Sequence, residues 1–160
     1  MSVEHKSNKG GVKGLFSKLK KLNDYAVFVG IPKSDNPKVD GGLNLSTIAS
    51  INELGTADIP SRPFVRQTLS ENADKYKDMY RKGVLKGDDP DLLLKKIAKV
   101  AQVDVQVNIR NGDWKANSQA TINKKSRTNR KGGNGEVKPL IDTGRLQQSI
   151  KGVVLKGDEE

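Results

Sequence analysis

Apolar residues recur along this chain in two rhythms, and the switches between them mark out its elements. In "LFSKLKKLND", Leu15, Leu19 and Leu22 fall on one helical face with lysines on the other. "YAVFVGIP" changes to alternation: Tyr25, Val27, Val29 and Ile31 share one side of a strand and Phe28 takes the other, until Pro32 ends the pairing. A turn-rich stretch over residues 33–44 follows, and "LSTIASINELG" then returns to helical spacing through Ile48, Ile51, Asn52 and Leu54. Ser46 is placed to cap that helix and Gly55 to close it.

"RQTLSENADKYKDMYRKGVLKG" predicts one continuous helix with Leu69, Ala73, Tyr76 and Tyr80 inward and Gly83 or Gly87 as its stop. "DDPDLLLKKIAKVAQVDVQVNIRNG" carries the strongest pattern, with Leu93, Ile97, Val100, Ala101, Val105 and Ile109 in one stripe. Asp89 or Pro90 begins it and Gly112 closes it. Its "VDVQVNI" also alternates like a strand, but the stripe runs unbroken from Leu93, which favours a single helix.

Residues 113–138 have almost no apolar periodicity and read as a long basic loop. Order resumes in "PLIDTGRLQQSIKGVVL", where Asp142 or Thr143 caps a short helix through Arg145, Leu146 and Gln148. A second strand interrupted by Gly152 follows. The expected fold class is α+β, a small antiparallel sheet packed with three to four helices. Its two strands, near Val27 and Val153, pair with each other or with a neighbouring subunit. The expected organisation is a flexible N-terminal arm over 1–14, one domain over 15–155 containing the basic loop, and a disordered acidic tail over 156–160.

Composition narrows the partners. The chain has 160 residues, enough for one domain, and a formal net charge of +10, which draws it to polyanions or to an acidic protein surface. It has no cysteine, which excludes disulfides and thiolate metal sites. Its apolar runs are too short to span a bilayer, so no membrane partner is expected, and the basic N-terminus lacks the apolar core of a signal peptide.

Candidate chemistry is sparse. His5, the single histidine, lies in the N-terminal arm, where a triad or metal site would have no rigid support. "DDPD" lacks the ligand order and glycine of a calcium loop and reads as helix capping. "GGVKG" and "KGGNG" neither follow a strand nor open a helix as a phosphate loop requires. Glu53, Glu71, Asp74 and Asp78 fall on polar helix positions with no spacing that buries two together. No catalytic residue, metal site or cofactor is therefore expected. The cluster "KKSRTNRK", with Lys124, Lys125, Arg127, Arg130 and Lys131, is a candidate contact for DNA phosphate or an acidic surface. A solvated loop is the competing reading, and the lack of interleaved aromatics argues against base stacking.

Between the second and third predicted helices stands "ELGTADIPSRPFVRQTL". Pro60 and Pro63 stiffen the turn around Arg62, Phe64 is placed to anchor the next helix in the core, and Arg62 and Arg66 are left to pair with a carboxylate or a neighbouring subunit. Three stretches taken together resemble a known family. They are the strand ending "VGIP"; Asn52, Glu53, Gly55, Thr56, Ile59, Pro60, Arg62, Pro63, Phe64 and Arg66; and Pro139, Leu140, Asp142, Thr143, Gly144, Leu146, Ser149 and Ile150. Ile109, Gly112 and Trp114 add a fourth match between them. In order and spacing these resemble the neck and tail-completion (virion morphogenesis, head–tail joining) proteins of tailed bacteriophages, over roughly residues 25 to 155. A departure is "KANSQAT" after Trp114, where the family usually has proline-leucine-serine.

The resemblance implies a non-enzymatic virion protein, made in the bacterial host cytoplasm, that forms a homomeric ring, most often of six or twelve copies. Such a ring joins the head connector or adaptor to the tail tube or tail terminator around a channel carrying genomic double-stranded DNA. From charge alone, the alternative is a cytosolic, sequence-nonspecific nucleic-acid-binding protein.

Overall fold

The strands predicted at opposite ends of the chain meet. In the computed structural model, which describes residues 14, 25–39, 41–127, 138–140 and 144–156, β1 (Tyr25–Gly30) and β2 (Lys151–Lys156) form a two-stranded antiparallel sheet. Tyr25 lies opposite Lys156, Phe28 opposite Val153 and Gly30 opposite Lys151. The strand thus takes in Lys156, which is expected from sequence to belong to the acidic tail. Residues 1–13 of the N-terminal arm with His5, the helix expected at 15–22, Arg130, Lys131, Asp142, Thr143 and residues 157–160 lie outside the described residues.

Six α-helices accompany the sheet among the described residues, so the fold is α+β as expected. They are α1 (Leu45–Leu54), α2 (Phe64–Glu71), α3 (Ala73–Lys86), α4 (Pro90–Asn111), α5 (Gln119–Arg127) and α6 (Arg145–Ser149). The long helix α4 organises the rest: it packs across both strands, with α2, α3 and α6 beside it. Asp89 caps it by accepting from the Leu92 amide at 3.1 Å, and Pro90 sits at its first turn, where its missing N–H is no loss. Leu93, Ile97, Ala101, Val105 and Ile109 are buried as the stripe requires, while Val100 is only half-buried. The alternation at 103–109 stays helical because every fourth position from Leu93 already meets the core.

Gly152 does not interrupt β2. It pairs with Val29 in an unbroken ladder, and a Cβ there would overlap the backbone of Ala98, so the missing side chain lets helix and sheet approach closely. Strand alternation then puts Tyr25, Val27, Val29 and Val154 on the helix side, and Ala26, Phe28, Val153 and Leu155 on the opposite face.

Three other expectations change. The helix predicted as continuous from residue 66 breaks at Asn72, whose φ and ψ of −101° and 9° leave the α-region; its side-chain amide turns back to donate to the Thr68 carbonyl at 2.9 Å. Ser46 does not cap α1. Asn44 occupies the cap position without a side-chain bond, and Asn36, ten residues upstream, accepts from the Ser46 amide at 2.9 Å and donates to its hydroxyl at 2.8 Å. The start of the basic loop folds as α5. Lack of an apolar stripe does not forbid a helix where Gln, Ala, Lys and Arg supply propensity and Ser118 sits at the N-terminal turn, its carbonyl accepting from the Ile122 amide at 3.0 Å.

The core gathers where α1, α2, α4 and α6 converge. Leu45, Phe64, Val105, Ile109, Leu146 and Ile150 form one buried cluster, with Trp114 and Leu140 packed at its edge. Phe64 is 1% exposed, confirming the anchoring role read from the sequence.

Candidate functional site

The residues that carry the family resemblance assemble into a corner whose polar groups satisfy one another. Gly55 ends α1 with φ 79°, in the region that favours glycine, and a Cβ there would lie 2.7 Å from the Ser61 amide nitrogen. Thr56 then folds the loop on itself: its amide donates to the Ile59 carbonyl, and its hydroxyl oxygen accepts from the Asp58 and Ile59 amides. Pro63, with φ −78° and ψ 61°, makes an inverse γ-turn in which the Phe64 amide donates to the Arg62 carbonyl at 2.8 Å.

Glu53 caps α2 from outside it. Its carboxylate accepts from the Val65 amide at 2.9 Å and the Arg66 amide at 2.8 Å, taking two of the donors that a helix N-terminus leaves unpaired and placing negative charge at the positive end of the helix dipole. Pro63 cannot do this itself. The glutamate ten residues earlier supplies the missing cap.

Arg62 is the buried centre of the corner, 4% exposed. Its Nε donates to the Lys115 carbonyl at 2.9 Å, and one terminal nitrogen donates to Asn52 Oδ1 at 3.0 Å. The other reaches the Ala116 carbonyl at 3.1 Å and Asn117 Oδ1 at 3.4 Å. All four partners are neutral, and burial lowers the guanidinium's pKa from its ordinary value. From its sequence context Arg62 is expected to be free to pair with a carboxylate or a neighbouring subunit. The structure corrects this: its fork is engaged within the chain, latching residues 115–117 to the end of α1. Arg66 remains exposed, with no ion pair among the described residues.

Other matched positions among the described residues are also structural. Trp114 folds back on the last turn of α4 and donates from Nε1 to the Asn108 carbonyl at 3.1 Å, over Gly112, where a Cβ would meet the indole. Gly144 takes φ 74° ahead of α6, and Leu146 is buried. Lys124, Lys125 and Arg127 belong to α5, but their side chains lie outside what the structure describes.

Behind the corner opens a groove of about 620 Å³ that no single motif foretold. Phe28 and Ile31 form one wall, Ala49 and Leu54 of α1 the second, and Val65 and Leu69 of α2 the third, with Phe64 and Ile150 at the floor. Leu54, expected to face inward from α1, is instead 68% exposed along this groove. Glu53 and Arg66 are the charged residues of the lining; since the Glu53 carboxylate already serves α2, Arg66 supplies the outward charge. The available signal in the sequence was Phe28, an aromatic residue out of phase with the buried side of its strand.

A separate charged cluster ties α3 to α4. Asp104 accepts from Lys75 at 2.7 Å and from the Tyr76 hydroxyl at 2.8 Å; burial, then the hydrogen bond and charge of Asp104, push the tyrosine's pKa up. A tyrosine held protonated in this way braces two helices. Among the described residues, no group of three or more His, Asp or Glu could hold a metal ion, and no helix is long and apolar enough to cross a membrane. No protein-family model, curated protein or solved structure matches the chain.

Proposed function

We propose that this chain is a structural protein of a tailed-phage virion. It forms a homomeric ring at the neck or the top of the tail, joining the head connector to the tail around the DNA channel. The observation that carries the reading is that Asn52, Glu53, Gly55, Arg62 and Phe64, which bear the resemblance, meet in one corner, with Arg62 bonded to Asn52 and Glu53 to the first amides of α2, beside an apolar groove. Such a scaffold holds a binding surface rigidly while using none of its own motif residues for chemistry. The two-stranded sheet also supports it, because a sheet of that size whose outer face leaves Phe28 and Leu155 partly exposed gains stability from a neighbour. The net charge of +10 suits a lumen near DNA or an acidic adjoining ring.

The test is electron microscopy of purified virions with this chain traced in the density. A ring at the neck or tail top is the expected outcome, and absence of the chain from the particle overturns the proposal. Neutralising Lys124, Lys125, Arg127, Arg130 and Lys131 together is expected to leave the monomer folded while impairing head–tail joining or genome retention. Fully infectious particles from that variant would remove the basic cluster from the mechanism.

A further inference from the structure

The sheet of β1 and β2 has two faces, and α4 packs against one of them. Ala26, Phe28, Val153 and Leu155 stand on the other, where Phe28 is 38% and Leu155 42% exposed. Phe28 leans along its strand over Gly30, where a Cβ would lie 2.8 Å from Cζ of the ring. That lean leaves a shallow dip at Ala26, which pairs with Leu155.

The stretch leading into β1 carries a matching pattern. Leu15, Leu19 and Leu22 repeat at helical spacing, and only Asn23 and Asp24 separate Leu22 from Tyr25, the first residue of the strand. Residues 15–24 lie outside the described ones, and Gly14, just before them, is helical. A helix this short needs something to pack on, since isolated helices under about 12–15 residues are marginal in water.

We propose that residues 15–22 fold back as an amphipathic helix on the outer face of their own sheet, seating the three leucines over Ala26, Phe28 and Leu155. Chain length selects the occupant. From Leu22 to Tyr25 the backbone spans at most about 11 Å, close to the roughly 10 Å between packed layers, so Leu22 is held within one layer of its own strand. Topology selects the face, because α4 fills the other.

Spacing sets the reach. Leu15 to Leu22 rises about 10 Å along a helix, against about 13 Å from Ala26 to Gly30 along β1, so the helix ends before the groove. With the leucines inward, Lys20 and Lys21 turn to solvent. The neighbour that a two-stranded sheet needs is thereby supplied within the chain. The ring reading does not depend on this contact and then draws on the corner and the groove.

The absence of cysteine gives a clean background for the test. In the full-length chain, Leu19→Cys with Val153→Cys, treated with a short bismaleimide, is expected to link within one chain, at monomer mass and confirmed by peptide mass spectrometry. Lys21→Cys with Val153→Cys, on the side of the helix turned away, is expected to lose most of that product. Leu15→Lys with Leu19→Lys is expected to lower the thermal unfolding midpoint by about 4 °C or more and to raise binding of a dye selective for apolar surface. Lys20→Glu with Lys21→Glu should leave both unchanged.

A link formed only between chains, shown by mixing the two single-cysteine variants, gives the face to another copy's segment and overturns the proposal. A chain that links in neither way overturns it too, as do leucine and lysine substitutions with equal effect. In each case the ring reading stands or falls separately, on the virion density.

Discussion

Glu53 and Leu54 are neighbours in sequence and opposites in use. The Glu53 carboxylate is held by two amides of α2, and eight residues on its own carbonyl accepts from the Ser61 hydroxyl at 2.8 Å. Leu54 touches little and stands at the lip of an open groove. The corner is a region in which donors and acceptors find partners inside the chain; the groove is one in which apolar surface finds none. The difference separates two questions that a motif merges. Residues that identify a fold are those whose bonds close internally, while residues that meet a partner are found where surface is left uncovered.

The sharpest way to break this contrast is at Arg62. Arg62→Ala removes four donor contacts and leaves the Lys115 and Ala116 carbonyls and the Asn52 and Asn117 amide oxygens without their partner at a part-buried site. A hydrogen bond to a charged group contributes about 1.5–3 kcal/mol and water can re-satisfy part-buried acceptors, so a total loss of about 2–3 kcal/mol is expected in chemical denaturation. Amide exchange at 115–118 should quicken even where the rest of the fold persists. A loss below about 1 kcal/mol would mean the corner is held by its prolines and Phe64, not by the arginine.

Glu53→Ala comes next. It strips the cap from α2 without opening the core, and the expected cost is about 1–2 kcal/mol, the range for losing an N-terminal cap. Glu53→Gln should retain part of it, because a neutral oxygen still accepts a hydrogen bond while the favourable charge at the helix end is lost. If alanine and glutamine cost the same, charge carries the effect and geometry does not.

How much of this was legible beforehand follows from the range of the interactions. Periodicity located both strands and the α4 stripe because Leu93, Ile97, Val105 and Ile109 each report burial on their own. It could not show that Arg62 would bond residues 115–117, since that pairing spans more than fifty positions and depends on where α4 ends. The capping of α1 by Asn36 and of α2 by Glu53 escaped for the same reason: cap preferences describe the residue at the helix end, and here the oxygens come from elsewhere in the chain. Gly152 suggested an interruption, yet the strand continues, because a missing Cβ serves equally for a break and for the approach of another backbone. The groove required three elements to be placed at once, and only Phe28, on the wrong side of its strand, signalled it.

The smallest expected change completes the comparison. Leu54→Ser replaces an apolar side chain that is already mostly in water, so thermal unfolding of the monomer should move by no more than about 0.5 kcal/mol, as for surface positions generally. The adjacent Glu53→Ala, measured in the same way, should cost several times as much. This ratio tests the distinction itself. If Leu54→Ser instead destabilises the isolated chain by more than about 1 kcal/mol, its side chain is buried in the folded monomer, because exposed leucine contributes nothing of that size. The groove would then belong to the internal structure as the corner does, and the surface offered to a second copy would have to be sought elsewhere.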